Sequence, residues 1–587
     1  MRIKNENRNE LMQACLGVVE NDIVIKNVNI VNVFTGEVLF GHIGVHKGFI
    51  SHVEYTKGCT IRAKKEYDYS GHYAIPGLID SHVHIESSMM TPKNFCATVL
   101  PHGTTTVITD PHEIANVMGV EGVKYMAECG QDLPMRQYIL APSCVPAVLE
   151  VEQAGACLGQ KEVADILKLD NVLGIAEVMD FMGVVTGEPR MKEILDLGFC
   201  QDVYIQGHAP LLSGSSLSAY LCGGPTSDHE CSTHEETIEK IRYGMHIDAR
   251  EASTVHDIKT IVEACKDLKY KDFLTICTDD RESGDLLHEG SVNHVLNCAI
   301  KAGLDPVDAI KCSTINSARG IGITNLGAIA PGYTADIVIC DSINEVKPKA
   351  VFAKGKLAAE NGKLTAALPE KSYAAEEVNT IKIPEISIAD LKIKAPVESG
   401  KAIANVIACE NNSLCKQQEE TEVDITQGYA DISNQPNLRY VAVINRHGYN
   451  NISLGIVKNS GLKEGAFACT VSHDSHNITV VYDKPENAIT CINEIKRLKG
   501  GLACAANEKI TASLQLEIAG LMTKTPCDEL AEKVNVIKQT LKNQGIAEAA
   551  NPILKVAMLA LPVIPKFVIT DKGLVDVLTK QFVPLFK

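Results

Sequence analysis

Between Ala74 and about Gly320 the chain repeats one pattern, a short β-rich run followed by a helix-patterned stretch. The runs are Ala74–Asp80, Thr104–Thr109, Gln137–Ala141, Val172–Val178, Asp202–Gln206, a weak one ending near Ser227, His246–Arg250 and Phe273–Cys277. Helical spacing fills most gaps between them, as in Met191–Gly198 and Val255–Leu268. Eight such units in about 250 residues predict an α/β fold of the TIM (β/α)8 barrel type. An open doubly wound sheet competes, but no G-x-G-x-x-G motif follows the first strand, so the barrel is preferred.

The flanks read differently. From Asp22 to about Ser70 come short β-rich runs, Ile23–Ile25, Val28–Val33, Val38–Leu39, His42–Val45 and Phe49–Val53, parted by Thr-Gly-Glu and Lys-Gly turns. A second group lies far downstream, at Ala335–Cys340 and Ala350–Lys354. Neither group has the apolar surface for a core of its own. They should therefore pair, with the chain leaving one small β unit and returning to it. The expected layout is a composite β-sandwich domain of residues 1–73 plus 321–375 around a barrel at 74–320. The polar, proline-containing stretch 376–400 reads as a linker. Residues 401–587 read as a C-terminal α+β domain, with strands at Arg439–Ile444, Ala466–Val471 and Ile478–Tyr482 and helices at Ala488–Leu498 and Cys527–Gly545.

Composition narrows the class of partner. The 587 residues are 45 % hydrophobic and 22 % charged, an ordinary globular balance. A net charge of −17 argues against a nucleic-acid backbone as ligand. The 20 cysteines include no C-x-x-C pair and follow no secretory signal, so they read as core thiols of a reducing compartment. The longest apolar run, Val556–Pro565, contains two prolines and is well short of the ~20 residues that span a bilayer. A soluble, cytoplasmic protein acting on small molecules, with no membrane or nucleic-acid partner, is expected.

The chemistry concentrates at strand ends. In Asp80-Ser81-His82-Val83-His84 the two histidines are two apart in an extended run, so both imidazoles aim to one side just where an apolar strand ends. Strand four ends on Glu177, strand five on His208, the sixth near His229-Glu230 and strand eight on Asp279-Asp280. Ligand-type residues at several strand C-termini are where a barrel builds its active site. Four histidines (His82, His84, His208, His229) with Glu177 and Asp279 suit Zn, Mn or Fe(II), and are too rich a set for one ion with an open position. Glu177 can bridge two ions, and paired ions can acidify a shared water to hydroxide. Asp279 can bind one ion and take the hydroxide's proton. Ion pairing at a barrel mouth would account for one such carboxylate but not for the whole set.

This constellation resembles the amidohydrolase superfamily over roughly residues 20–360. The His-x-His of strand one, the histidines of strands five and six and the aspartate of strand eight follow its order, and Gly327-Ala328-Ile329-Ala330-Pro331-Gly332-Tyr333-Thr334-Ala335-Asp336 looks like its return to the β unit. Many two-metal members carry a carboxylated lysine on strand four. Glu177 stands there instead, a departure from dihydroorotases and hydantoinases. The narrower resemblance is to bacterial adenine deaminases. It rests on Asp80-Ser81-His82-Val83-His84-Ile85-Glu86-Ser87-Ser88-Met89, Thr109-Asp110-Pro111-His112-Glu113-Ile114-Ala115-Asn116-Val117, Cys277-Thr278-Asp279-Asp280-Arg281 and Val471-Ser472-His473-Asp474-Ser475-His476-Asn477-Ile478.

The resemblance implies hydrolysis of adenine to hypoxanthine and ammonia with Mn(II) or Fe(II), two ions per subunit, and Zn as the alternative. It also implies a homo-oligomer, for which no sequence feature marks an interface. Adenine itself comes from the resemblance alone. Within that chemistry Glu230 is the candidate for the proton on N1, and Asp279 for the relay to the leaving amine. Asp280 is a candidate for the N7 edge. His112 and Glu113 after strand two, Ser143 after strand three and His473 in the last domain are candidate pocket residues. A cyclic-amide hydrolase on the same scaffold is the nearest rival activity, disfavoured by Glu177; deamination of a nucleoside or another amino-heterocycle is a further alternative, and a non-catalytic scaffold is disfavoured because the full ligand set is present.

Overall fold

The computed structural model describes residues 2–409, 416–546, 551–564 and 566–587. Eight parallel strands carry the middle of the chain: β1 (Leu78–Val83), β2 (Thr104–Thr109), β3 (Arg136–Ala141), β4 (Val172–Val178), β5 (Tyr204–Gly207), β6 (Ser227–Asp228), β7 (His246–Arg250) and β8 (Leu274–Cys277). The first five pair in sequence order as one parallel sheet, and β6 to β8 as another. Main-chain hydrogen bonds cross both gaps. Thr226 N–H donates to Ile205 O beside β5 and β6, and Asp279 N–H donates to His82 O, where Val83 and Asp279 form a parallel bridge. The parallel sheet is curled, and its last strand returns to its first.

Burial explains the strand sequences. β2 reads Thr-Thr-Thr-Val-Ile-Thr, every residue β-branched and every residue buried, as a strand covered on both faces requires. Helices fill the connections and start where the sequence caps them. Pro189–Gln201 has proline in its first turn, and the Glu188 carboxylate accepts the Met191 N–H at 2.7 Å. His234–Arg242 begins at Thr233, whose hydroxyl oxygen accepts the Glu236 N–H at 3.3 Å.

The run expected as one strand at Ala74–Asp80 is two. Tyr73–Pro76 belongs to the flanking β unit and β1 begins at Leu78. Gly77 parts them, and a Cβ there would stand 2.3 Å from Thr105 Oγ1. The apolar pattern runs through this change of sheet without a break, so the sequence alone does not mark it. Tyr73–Pro76 pairs antiparallel with Ile337–Cys340, Ile75 opposite Val338, and this joins the two distant β groups into a single nine-stranded sheet rather than two sheets. Ile25, Ile30, Ile43, Ile337 and Phe352 form its core.

Beyond the stretch 376–400, a second nine-stranded sheet is packed by helix Pro485–Leu498. The stretch itself lies against this sheet: Ile381 and Leu391 are buried in its core and Tyr482 Oη donates to Leu391 O at 2.8 Å. Strands Ala466–Cys469 and Ile478–Tyr482 are joined through the buried segment Ser472–Asn477, which reaches the C-terminal ends of the parallel strands. Among the described residues no helix is long and apolar enough to cross a membrane. The apolar run Val556–Pro565 starts in helix Pro552–Ala557 and continues through the turn Met558–Ala560, and its last residue lies outside the described residues.

Candidate metal centre

At the C-terminal ends of β1, β4, β5, β6 and β8, six side chains converge. His82 and His84 leave β1 toward the same side, and each has its Nδ1 fixed. His82 Nδ1–H donates to Gln206 Oε1 at 2.9 Å, and the Gln206 amide is oriented by its own donation to Ser81 O at 3.2 Å. His84 Nδ1–H donates to Asp110 O at 3.0 Å. A neutral imidazole with a proton on Nδ1 presents a bare lone pair at Nε2. His82 Nε2, buried with no hydrogen-bond partner, lies 3.4 Å from Asp279 Oδ1. His84 Nε2 lies 3.3 Å from the same oxygen and 3.4 Å from Glu177 Oε1.

The other half of the site faces the second oxygen of Glu177. His208 Nδ1 is 2.7 Å and His229 Nε2 3.2 Å from Glu177 Oε2, and the two nitrogens are 3.3 Å apart. Gly207 lets the chain approach β6 before His208, since a Cβ would fall 2.0 Å from Ser227 O. Asp228 ties the two histidine turns together, its Oδ1 accepting the Ala209 N–H at 2.8 Å and the Glu230 N–H at 3.3 Å. Fully buried Lys240 anchors this aspartate at 2.8 Å, and also bonds Glu236 and Ala209 O, both at 2.6 Å.

Lone pairs of buried imidazoles set against carboxylate oxygens are acceptors facing acceptors, an arrangement that needs a cation between them. The donor set of nitrogen and oxygen fits a divalent metal. With protons as the only cations, the charges settle accordingly. Burial works against the Glu177 carboxylate, but hydrogen bonds from His208 and His229 and their charges hold it well below the ordinary carboxylate range. Asp279 is likewise opposed by burial and held well below by His82 and His84 beside it and by the Arg250 charge. His229 is disfavoured by burial yet raised to about 9 by Glu177.

Asp279 takes a left-handed backbone conformation (φ 54°), which aspartate tolerates. Its Oδ2 receives Arg250 Nη1–H at 2.8 Å, and the same guanidinium holds Glu230 through both terminal nitrogens. Burial opposes ionisation of Glu230, but the Arg250 charge brings its carboxyl below the usual range. Asp280 accepts the Ser87 hydroxyl at 2.5 Å, and burial with the neighbouring Asp279 charge pushes it up.

These groups open on a cavity of about 290 Å³. His84, Glu177, His208, His229, Glu230, Asp279, Asp280, His112, Glu113 and His473 all line it. His112 Nδ1 lies 3.2 Å from Asp110 Oδ2 and 3.5 Å from Glu177 Oε1. Ser143 is the candidate pocket residue that the structure does not bring to this cavity: its hydroxyl donates to the Glu177 main-chain oxygen at 2.8 Å and so supports the end of β4. Sequence reasoning missed Arg250, the last residue of β7, although its place at a strand C-terminus was the available signal. It also missed Gln206, which precedes His208 by two, and the apolar wall of Met558, Leu561, Val563 and Ile564, which nothing local in the sequence connects to the site.

Residues 73–358 match the family model described as the amidohydrolase family, and the curled parallel sheet with its cluster of buried histidines and carboxylates is of that class. Residues 413–581 match the model of the adenine deaminase C-terminal domain. The chain is 40 % identical to adenine deaminase 2 of Carboxydothermus hydrogenoformans, covering 98 % of this chain and 99 % of that one. It is 37 % identical to the adenine deaminase of Clostridium acetobutylicum over the same shares, and 38 % identical to that of Geobacillus kaustophilus over 96 % of each chain. The chain belongs to the adenine deaminase family.

Proposed function

We propose that this chain hydrolyses adenine at C6 to hypoxanthine and ammonia, with two divalent ions, Mn(II) or Fe(II), in a closed (β/α)8 barrel. In this reading residues 74–320 are the catalytic unit, 1–73 with 321–375 the composite β domain, and 401–587 a further α+β domain reached through 376–400. The observation that carries the metal reading is the pair of bare Nε2 lone pairs of His82 and His84 facing Asp279 and Glu177. Similarity to the relatives named above, over nearly all of both chains, supports adenine as the substrate.

His82, His84 and Asp279 would hold one ion and His208 and His229 the other, and Glu177, which faces both histidine pairs, would serve both. When bound, such ions acidify a water so that it attacks at neutral pH. The chain's own groups manage the protons. Glu230, kept ionised by Arg250, would take one proton from the attacking water and pass it to N1, which makes C6 electrophilic. Asp279 then moves the remaining O–H proton to the exocyclic nitrogen. The C6–N bond breaks, ammonia leaves and the C6 carbonyl of hypoxanthine forms, so one water is consumed and its two protons end on N1 and on ammonia. Asp280, His112, Glu113 and His473 line the substrate side of the pocket. Incubation of the Mn(II)-loaded protein with adenine, beside adenosine and a chelated control, tests the reading. Hypoxanthine and ammonia in equal amounts are expected from adenine, and their absence would reject it.

A further inference from the structure

The segment Ser472–Asn477 comes from the C-terminal sheet, yet its two histidines meet a carboxylate more than 300 residues away on the helix after β2. Ser472 N–H donates to His476 Nδ1 at 3.2 Å. That nitrogen is therefore an acceptor, the ring proton sits on Nε2, and Nε2–H donates to Glu113 Oε2. The other Glu113 oxygen receives His473 Nδ1–H at 2.8 Å. The segment is held from outside as well: Arg446 Nε–H donates to His476 O at 2.5 Å, His447 Nε2–H to Ser475 O at 2.8 Å and Asn477 Nδ2–H to Gln153 O at 3.0 Å. All six residues are buried.

Glu113, His473 and His476 lie close enough together to suggest a further cation site. The tautomer of His476 argues against it, because a nitrogen that carries a proton cannot ligate a metal. The three form a hydrogen-bonded relay instead. Its outcome is a single oriented atom. With Nδ1 engaged by Glu113, Nε2 is the polar atom of His473 left to face the cavity that the ring lines, and no protein partner among the described residues takes it.

We propose that His473 is a specificity-determining residue of the adenine site, its Nε2 hydrogen-bonded to a purine ring nitrogen remote from C6, with Glu113 and His476 as the positioning residues. The inference rests on the adenine reading above and assigns the C-terminal unit a direct part in substrate recognition. A ring-nitrogen contact of this kind would discriminate purine from carbocyclic isosteres, since a site built to hydrogen-bond a substrate atom rejects the analogue that lacks it.

The test uses the full-length, metal-loaded protein and two variants. His473→Asn keeps a donor toward Glu113 but does not reach the ligand, and Glu113→Gln removes the anionic anchor while preserving shape. KM and kcat for adenine are measured with bound metal, and 3-deaza-, 7-deaza- and 9-deazaadenine are used as competitive inhibitors. Expected for His473→Asn is a rise in KM of roughly ten- to hundred-fold, the range for losing one such hydrogen bond, with metal content unchanged and a smaller effect on kcat. Glu113→Gln should shift KM in the same direction. One deaza analogue should bind the wild-type protein weakly and lose nothing further in His473→Asn. Unchanged KM and inhibition constants in both variants, or metal loss in step with activity, would overturn the assignment of His473 while leaving adenine deamination intact. No turnover of adenine by the wild-type protein would overturn the function reading itself, and this inference with it.

Discussion

Arg250 Nη1 lies 2.8 Å from Asp279 Oδ2, and the same guanidinium holds Glu230 through both of its terminal nitrogens. One cation thus links the two carboxylates assigned to proton transfer, and Asp257 at 3.2 Å completes its shell. The planar fork of arginine suits this geometry and lysine would not reproduce it.

Replacing Arg250 by methionine should therefore lower kcat by about 10²- to 10⁴-fold, the range for loss of positioned proton transfer. Bound metal should be retained, because Arg250 touches none of the histidine ligands and bonds Asp279 through Oδ2, not through the Oδ1 that faces His82 and His84. Steady-state kinetics with parallel metal analysis checks both halves, and a near-normal kcat would remove Arg250 from the account.

Among the described residues Glu177 is the only carboxylate within 3.5 Å of His84, His208 and His229 together. Glu177→Gln keeps the size but loses the charge and one acceptor. It should lose bound metal on gel filtration and fall at least about 10³-fold in turnover, as expected for removing a ligand on which metal-assisted hydrolysis depends. A variant that keeps full metal content and activity would contradict the bridging role.

Lys240 tests the support beneath the site. It is wholly buried among Asp228, Glu236 and Ala209 O, and Lys240→Met would strand two buried carboxylates. Breaking such a network by removing one partner costs about 3–5 kcal/mol. A loss of that order in unfolding free energy, seen as a lower urea midpoint, is expected by circular dichroism, a suitable probe because the chain has no tryptophan.

Stability should also depend on pH through Glu152. Burial, and then the charge of Asp474, push its carboxyl up to about 8, while its Oε1 accepts the Val148 N–H at 2.9 Å. A carboxyl whose folded pKa exceeds its unfolded one binds its proton more tightly in the folded state. Its contribution is complete below the ordinary carboxylate range and is lost as pH rises through about 8. Wild-type thermal midpoints should therefore decline between about pH 4.5 and 8, and Glu152→Gln should flatten that decline. Parallel slopes for the two proteins would contradict it.

The parallel strands were legible because each is a short β-branched or apolar run between helical spacings, and the ligand candidates because they sit where those runs stop. His82 and His84 needed only the two-residue period of a strand. Other features carry no local signal. The change of sheet at Gly77 falls within a continuous apolar run, and the stretch 376–400 looks like a linker although Ile381 and Leu391 are buried in a core. Arg250 ends its strand and Glu177 stands next to the end of its own, yet a lone arginine at a strand end is more often an ordinary ion-pair partner. The contact of Glu113 with His473 and His476 joins residues that only tertiary folding brings together, and no periodicity encodes such a pair.

The most direct measurement is an anaerobic titration of the chelator-stripped protein with Mn(II), following hypoxanthine formed from adenine. No product is expected without metal, then a rise to full activity that breaks at two equivalents per chain, with no response in Glu177→Gln. Full activity at one equivalent would contradict the paired site, and metal binding at two equivalents with no hypoxanthine would contradict adenine as the substrate.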